Sequence, residues 1–157
     1  MKLKFTASAV IAAALTLTAC ATSPTGRNQV LLYSETQLAQ MGDQAFTGMK
    51  EELKISNKAV QNTYVECVAN AITAQVPASV FDGQWEVVVF DDEQVNAFAL
   101  PGGKIGVYTG LLNVAENQHQ LAAVIGHEVG HVIAEHGNER MSQSTLINMG
   151  SQAVGQV

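Results

Sequence analysis

Apolar positions recur at helical spacing in three stretches of the chain. The first follows "SETQ" at 34–37, a capping box with Ser34 at the N-cap, and the second runs from about Lys58 to Gln75 before Pro77. The third starts behind a candidate N-cap at Asn117 and ends near Gly137. The apolar faces predicted for the first two helices are Leu38, Met41, Ala45, Met49 and Leu53, then Tyr64, Cys67, Val68, Ala71 and Ile72.

Shorter stretches between the second and third helices have the pattern of strands. "WEVVVF" at 85–90 is rich in β-branched and aromatic residues and predicts a buried strand. "NAFAL" at 96–100 and "KIGVY" at 104–108 flank the turn signal "PGG" and predict a hairpin. Helices around a small set of strands indicate an α+β fold.

The N-terminus has the features of an export signal. Lys2 and Lys4 precede an apolar run that is too short to span a bilayer, which takes about 20 residues. The sequence "LTAC" resembles a bacterial lipobox, which implies cleavage before Cys20 and lipid on its sulfur. Ala21 follows where an inner-membrane protein usually has aspartate, so an outer-membrane anchor facing the periplasm is favoured. The alternative is an ordinary signal peptide with an accidental cysteine.

Charge and length limit what the mature chain can do. Cleavage after residue 19 would remove both N-terminal lysines and change the net charge from −6 to −8. Such an acidic chain is a poor ligand for nucleic acid, so the lipid would hold it at the membrane. We expect a signal peptide at 1–19, a lipidated tether at 20–33 and one domain at 34–157. Cys67 would be the only free thiol, and its spacing predicts burial.

The third helix carries "GHEVGHVIAEHG" at 126–137. At 100° per residue, with His127 at zero, His131 falls at about 40° and Glu128 at about 100°. Most other positions on this helix are apolar, which predicts burial. Burying three ionisable groups in that setting is costly unless a metal ion compensates. Gly126 and Gly130 lie one turn apart, and we expect another element to pack closely there.

These three residues form an HExxH motif, in which each position has a chemical reason. Two imidazoles at i and i+4 can each give one nitrogen to a Zn²⁺ ion. Glu128 stands beside them and can take a proton from the attacking water and pass it to a leaving amine. The motif predicts one Zn²⁺ per chain, with His127 and His131 as ligands and Glu128 as the general base. The alternative is a pair of surface histidines spaced by accident.

The segments "AAVIGHEVGHVIAEH" and "NAFALPGGKIGVYTGLL" together resemble the metallopeptidase family of the CAAX prenyl endopeptidase and the bacterial heat-shock membrane protease, in particular its periplasmic lipoproteins. The resemblance implies a mainly helical zincin-type domain with a small antiparallel sheet beside the active helix. It also implies that an extended polypeptide, such as a misfolded envelope protein, binds along "NAFAL". Asn96, Ala97 and Phe98 are the predicted substrate-binding residues, although Asn96 could simply start the strand.

The sequence departs from this family at the third zinc ligand, which the family takes from a glutamate on a later helix. Residues 140–157 contain no Asp, Glu, His or Cys. Glu135 lies about 12 Å along the axis from His127 if the helix is straight. His136 would point away from the metal, which leaves a loop position of His119 as a weak substitute. The domain is therefore expected to be incomplete at its C-terminus.

Several explanations of the missing ligand stay open. The chain is a fragment of a longer protease, a natural short form that binds zinc weakly or only binds polypeptides, or a subunit whose partner supplies the ligand. An envelope lipoprotein with an accidental motif is the fourth. The main prediction is a zinc metalloendopeptidase of the bacterial envelope, and the competing one is a lipoprotein that holds extended chains without cleaving them.

Overall fold

The computed structural model describes residues 20–24 and 26–154. The chain divides into two compact units. One runs from Glu35 to Ile133, and the other combines the described residues up to Ser34 with those from Ala134 onward. The predicted signal peptide at 1–19 lies outside the described residues.

The unit from Glu35 to Ile133 contains four helices and a three-stranded sheet among its described residues. The elements are α1 (Glu35–Glu52), α2 (Ala59–Thr73), β3 (Glu86–Phe90), β4 (Ala97–Leu100), β5 (Lys104–Tyr108), α3 (Thr109–Leu112) and α4 (Gln118–Ile133). The predicted helices, the strand at 85–90 and the hairpin of β4 and β5 are confirmed.

The sheet has the strand order β3-β5-β4, with β5 in the middle. β5 runs antiparallel to β4 and parallel to β3. The predicted antiparallel pairing is therefore confirmed for the hairpin, and the parallel strand β3 makes the sheet as a whole mixed. The reason is that the connection after β3 carries the chain to the far edge, so that β5 returns between the two earlier strands. β4 is left at an edge of this sheet.

Side chains alternate between the two faces of the sheet, and each face has its own core. The first face packs with α2 and α4. Its most deeply buried members are Val65, Ala69, Val89, Ile105, Val107, Leu121, Ile125 and Val129. The second face packs with α1 through an aromatic cluster of Phe46, Phe90, Phe98 and Tyr108. The sheet thus lies between α1 on one side and α2 with α4 on the other, which confirms the α+β prediction.

The predicted helix faces need correction by one position. In α1 the buried residues are Leu38, Gly42 and Phe46, whereas Met41 is exposed. Gly42 takes part because a Cβ atom there would overlap the carbonyl oxygen of Pro101, so α1 approaches the β4–β5 turn at a position that only glycine fits. Leu38, Gly42 and Phe46 follow the i, i+4, i+8 spacing, and the large side chain at 41 lies beside that stripe.

The face of α2 is also rotated from the prediction. Its buried residues are Val65, Val68, Ala69 and Thr73. Cys67 is exposed, so the prediction that this thiol is buried is wrong. Many positions of α2 are apolar, and periodicity alone did not decide which of two overlapping stripes would meet the sheet.

The other unit contains β1 (Cys20–Thr22), β2 (Asn28–Val30) and α5 (His136–Val154). β1 and β2 pair antiparallel. Arg27 forms an ion pair with Glu139, and the amide of Asn138 exchanges hydrogen bonds with the backbone of Tyr33. Part of the segment interpreted as a tether therefore forms a hairpin that is held to α5. Among the described residues, no helix combines the length and hydropathy needed to cross a membrane.

Candidate metal centre

Helix α4, which carries the HExxH motif, has a side-chain cap at its first turn. The Asn117 Oδ1 atom accepts hydrogen bonds from the backbone N–H groups of His119 and Gln120, at 3.0 and 3.1 Å. The predicted N-cap is therefore confirmed. The helix ends at Ile133 rather than near Gly137, and Glu135 adopts a left-handed φ of 54°. The signal of Gly137 was misleading because that residue lies in the first turn of α5.

One side of α4 is buried and the other is open. Leu121, Ile125 and Val129 follow each other at four-residue intervals and are all enclosed in the core. His127 is exposed, and Glu128 and His131 are half-buried. The prediction that this helix is buried on most sides is therefore wrong for the described residues. The apolar residues form one stripe, and the motif lies outside it.

The two histidines of the motif face the same way. Their Nε2 atoms lie 3.0 Å apart, with ring centroids separated by 4.5 Å and ring planes inclined at 80°. The α-helical rise places residues i and i+4 one turn apart on one side, which brings both rings to the same point. Each Nε2 atom is the nitrogen at the outer end of its imidazole, so the two best metal donors of the pair converge.

This separation fits two ligands of a single ion. Zinc–nitrogen bonds of about 2.0–2.1 Å at a tetrahedral angle place two donor atoms roughly 3.3 Å apart. The observed 3.0 Å is close to that value. Among the described residues, however, no group of three or more His, Cys, Asp or Glu side chains is arranged to hold a metal ion. The structure therefore supplies two converging donors of the three that a catalytic zinc usually takes from protein.

Glu128 is adjacent to His127 in the chain and half-buried on α4. No hydrogen bond or ion pair to its carboxylate is found within the part of the chain that the structure describes. The carboxylate is therefore not engaged by a lysine or arginine of the described residues. This property is what the predicted role of general base requires.

The sequence offered three further candidate ligands near the motif, namely His119, Glu135 and His136. His119 lies in the first turn of α4, eight residues before His127, and this spacing corresponds to about 12 Å along a helix axis. The idea that His119 sits in a loop that bends toward zinc is therefore wrong. Glu135 follows the end of α4, so the straight-helix geometry used to place it does not apply. His136 is the first residue of α5.

The two glycines of the motif region were expected to mark close packing. A Cβ atom at Gly126 would be 4.0 Å from the Cδ1 atom of Ile72, which is ordinary contact. A Cβ atom at Gly130 would meet no described residue within 4 Å. The close-packing prediction is therefore wrong at Gly130, and the surface of α4 beside the histidines is smooth and open.

Strand β4 contains the predicted substrate-binding segment. Asn96 precedes the strand with an exposed side chain, and its carbonyl oxygen accepts a hydrogen bond from the Tyr108 N–H group at 3.1 Å. Ala97 is buried in the core that α4 shares. Phe98 belongs to the aromatic cluster on the opposite face. The side chains of Ala97 and Phe98 thus serve packing, and any contact with an extended ligand would use the backbone.

The pairing of β4 shows which backbone groups are available. Asn96 lies opposite Tyr108 as a hydrogen-bonded pair, and bonded and non-bonded pairs alternate along an antiparallel ladder. The N–H and C=O groups of Ala97 and Ala99 therefore point away from β5, toward the open edge. Ala99 was not among the predicted substrate-binding residues, although the alternation of side chains within "NAFAL" already places it on the same side as Ala97.

A helix with two converging histidines and an adjacent carboxylate, packed beside a small sheet with an edge strand, defines the HExxH class of metallopeptidases. The sequence model of peptidase family M48 matches residues 56–156 of this chain, and the chain belongs to this family. It is 30% identical over 135 residues to the mitochondrial metalloendopeptidase OMA1 of Bos taurus, covering 79% of this chain and 25% of that protein.

Two further relatives are similar to parts of this chain. The mitochondrial metalloendopeptidase OMA1 of Arabidopsis thaliana is 37% identical over 114 residues, which is 70% of this chain and 23% of the relative. The β-barrel assembly-enhancing protease of Escherichia coli is 25% identical over 100 residues, which is 64% of this chain and 20% of the relative. The chain thus spans a quarter or less of the length of these relatives. Membership of a metallopeptidase family implies a divalent metal.

Proposed function

We propose that this protein acts as a zinc-dependent metalloendopeptidase of the bacterial envelope, with His127 and His131 as metal ligands and Glu128 as general base. The observation that carries the proposal is the 3.0 Å separation of the two Nε2 atoms on the open side of α4. Family membership supports peptide-bond hydrolysis as the reaction. One Zn²⁺ ion per chain is the proposed cofactor.

The three residues of the motif would have different roles in the reaction. A bound zinc ion supplies Lewis acidity, which polarises a carbonyl group and makes water a better nucleophile. His127 and His131 hold that ion through their Nε2 atoms, which already face each other. Glu128 takes the proton that the attacking water loses and delivers it to the nitrogen of the leaving amine. The new C–O bond would form first, and the peptide C–N bond would then break as the protonated amine leaves.

We propose that the substrate is an extended polypeptide that adds a strand to the edge of β4. The N–H and C=O groups of Ala97 and Ala99 give this edge two donors and two acceptors, and Asn96 lies exposed at its start. β4 also packs along α4 through Ala97, which places the edge beside the motif helix. Backbone pairing is tolerant of sequence, which suits misfolded proteins with varied side chains.

A second candidate function is binding of extended chains without cleavage. The observation in its favour is that the described residues contain no third metal-binding side chain near the histidine pair. In that case β4 would still pair with polypeptides, whereas zinc would be held weakly or not at all.

The envelope location is proposed from the N-terminal sequence. "LTAC" at 17–20 and the preceding apolar run support lipid attachment at Cys20 and anchoring to the outer membrane. The relative in Escherichia coli is named for a role in β-barrel assembly, which is consistent with work on envelope proteins. Metabolic labelling with a radioactive fatty acid tests the anchor, since Cys20→Ser should abolish the label.

The decisive experiment for the enzyme compares cleavage of casein by the full chain, by Glu128→Gln and by Glu116→Gln. Loss of a general base typically costs about 100-fold to 10,000-fold in rate, so Glu128→Gln should be nearly inactive while it retains zinc. Glu116 is exposed and precedes α4, so the control variant should cleave normally. A chelator should stop cleavage, and added zinc should restore it.

The same samples separate the two candidate functions. Zinc near one per chain with chelator-sensitive cleavage supports the enzyme. Binding of unfolded casein by all three proteins, with neither zinc nor cleavage, supports the binding module. Equal cleavage by Glu128→Gln and the unaltered chain would contradict the assigned role of Glu128.

A further inference from the structure

A cleft outside the histidine motif lies where the end of α2 meets the loop before β3. Its volume is about 340 Å³. Asn70 and Thr73 from the last turn of α2 form one wall, and Phe81, Asp82 and Trp85 form the other. All of these residues belong to the same compact unit. The cleft combines two aromatic rings with a carboxylate.

The aromatic wall is held in a fixed arrangement. The rings of Phe81 and Trp85 pack edge to face, with centroids 5.1 Å apart and planes inclined at 75°. Phe81 also occupies the space beside Gly103, where a side chain would overlap the ring. Both side chains are half-buried and line the cleft. Rings that are fixed before a ligand arrives lose little conformational entropy on binding.

The electrostatics of the cleft favour a cation. Asp82 is exposed, and it forms no ion pair within the described part of the chain. The C-terminal end of a helix carries a partial negative charge, and α2 has no basic residue in its last turn to offset it. None of the residues that line the cleft is Lys, Arg or His. The carboxylate and the helix end therefore act in the same direction, and an aromatic ring beside them can add a cation–π contribution.

We propose that this cleft binds the guanidinium group of an arginine in a polypeptide. A guanidinium is planar and weakly hydrated, so it can stack on an indole ring while its N–H groups bond to a carboxylate. Trp85 provides the ring and Asp82 the carboxylate, and the amide of Asn70 adds an acceptor. The net charge of −6 would attract basic segments toward the chain. The site is independent of the metal centre and of the proposed cleavage.

The chain has one tryptophan, so its fluorescence reports on this cleft directly. The experiment titrates the full chain in mild detergent with N-acetylarginine amide, and with the citrulline and lysine analogues, at low salt. We expect saturable binding of the arginine probe. Citrulline has the same shape without the charge and should bind at least about fivefold more weakly, because it loses both the cation–π contact and the ion pair with the carboxylate.

Two variants complete the test. Asp82→Asn should weaken arginine binding about threefold or more, whereas Glu93→Gln, an exposed carboxylate outside the cleft, should leave it unchanged. Circular dichroism verifies that both variants are folded. Equal affinity for arginine and citrulline, an equal effect of the two variants, or a fluorescence change that does not saturate would overturn the proposal. Lysine binding as tight as arginine binding would overturn the assignment to guanidinium.

Discussion

His127 and His131 direct their Nε2 atoms to the same point on the open side of α4, 3.0 Å apart. The arrangement depends on a helix whose opposite side is anchored in the core by Leu121, Ile125 and Val129. The positions of the two histidines therefore depend on apolar core residues that take no part in the proposed reaction.

The N-cap of α4 should contribute measurably to stability. Asn117→Ala removes the two hydrogen bonds that Oδ1 accepts from the first turn, and loss of such a cap typically costs about 1 kcal/mol. Urea unfolding followed by circular dichroism measures the change. Asn57→Ala serves as the control because Asn57 is exposed between α1 and α2. Identical midpoints for the two variants would show that the cap is unimportant.

A charged network should make stability depend on acid pH. Glu86 accepts hydrogen bonds from Lys50 at 2.6 Å and from Lys104 at 2.9 Å, and these bonds lower the pKa of its carboxyl. Because the pKa of Glu86 is lower in the folded state than in the unfolded state, its ionised form stabilises the folded protein. This stabilisation is complete at pH values above the pKa of the unfolded state. It is lost as the pH falls through the pKa of the folded state. Glu86→Gln should therefore cost no more than about 1 kcal/mol at neutral pH, because solvent screens a partly exposed network.

The pH dependence of the loss of stability in Glu86→Gln tests whether the ion pairs cause that loss. The difference between Glu86→Gln and the unaltered chain should shrink as pH falls below the ordinary carboxyl pKa of about 4.3. Glu66→Gln, on the exposed side of α2, should show no such trend. A constant difference across this range of pH would mean that the ion pairs do not account for the effect.

Two glycines of α1 should respond in opposite ways to alanine. Gly42→Ala places a methyl group against the Pro101 carbonyl oxygen, which is backbone and cannot swing aside, so a loss of about 1–3 kcal/mol is expected. Gly48 has no described atom within 4 Å of its would-be Cβ, so Gly48→Ala should stabilise by up to about 1 kcal/mol. Thermal unfolding of both variants provides the comparison. Stabilisation by Gly42→Ala would refute the close approach of α1 to the turn.

The edge of β4 should be tested with proline. Ala99→Pro removes an N–H group that points away from β5, so the sheet should survive while binding of unfolded casein weakens about 2- to 10-fold, the equivalent of roughly 0.5–1.5 kcal/mol for one hydrogen bond. Phe98→Pro removes an N–H group that pairs with β5, and it should unfold the hairpin instead. Casein binding that is unchanged in a folded Ala99→Pro variant would exclude strand addition at this position.

Local signals in the sequence were sufficient for most elements between Glu35 and Ile133 but not for their arrangement, and they missed the hairpin of β1 and β2. The alternation in "KIGVY" and the "PGG" turn correctly predicted the hairpin, and Asn117 correctly marked the start of α4. The position of β5 between β3 and β4 is a long-range choice that no local pattern encodes. Likewise, Met41 is exposed because α1 approaches Pro101 at Gly42, a contact between distant residues.

The candidate site, like the fold, was predicted only in part from the sequence. Four-residue spacing on a helix was enough to predict that His127 and His131 converge, because the helix geometry alone decides it. Spacing could not predict that α4 ends at Ile133, where Glu135 takes a left-handed backbone conformation that usually favours glycine. Nor could it place Phe98, whose side chain lies on the face of the sheet opposite α4.

The most direct measurement is the zinc content and affinity of the full chain beside His127→Ala, His131→Ala and His119→Ala, by equilibrium dialysis with elemental analysis. We predict close to one zinc per chain for the unaltered protein and for His119→Ala, whose altered side chain lies two turns away, and loss of binding in each of the other two variants. Zinc binding that survives in both His127→Ala and His131→Ala would contradict the assignment of this pair as a metal centre.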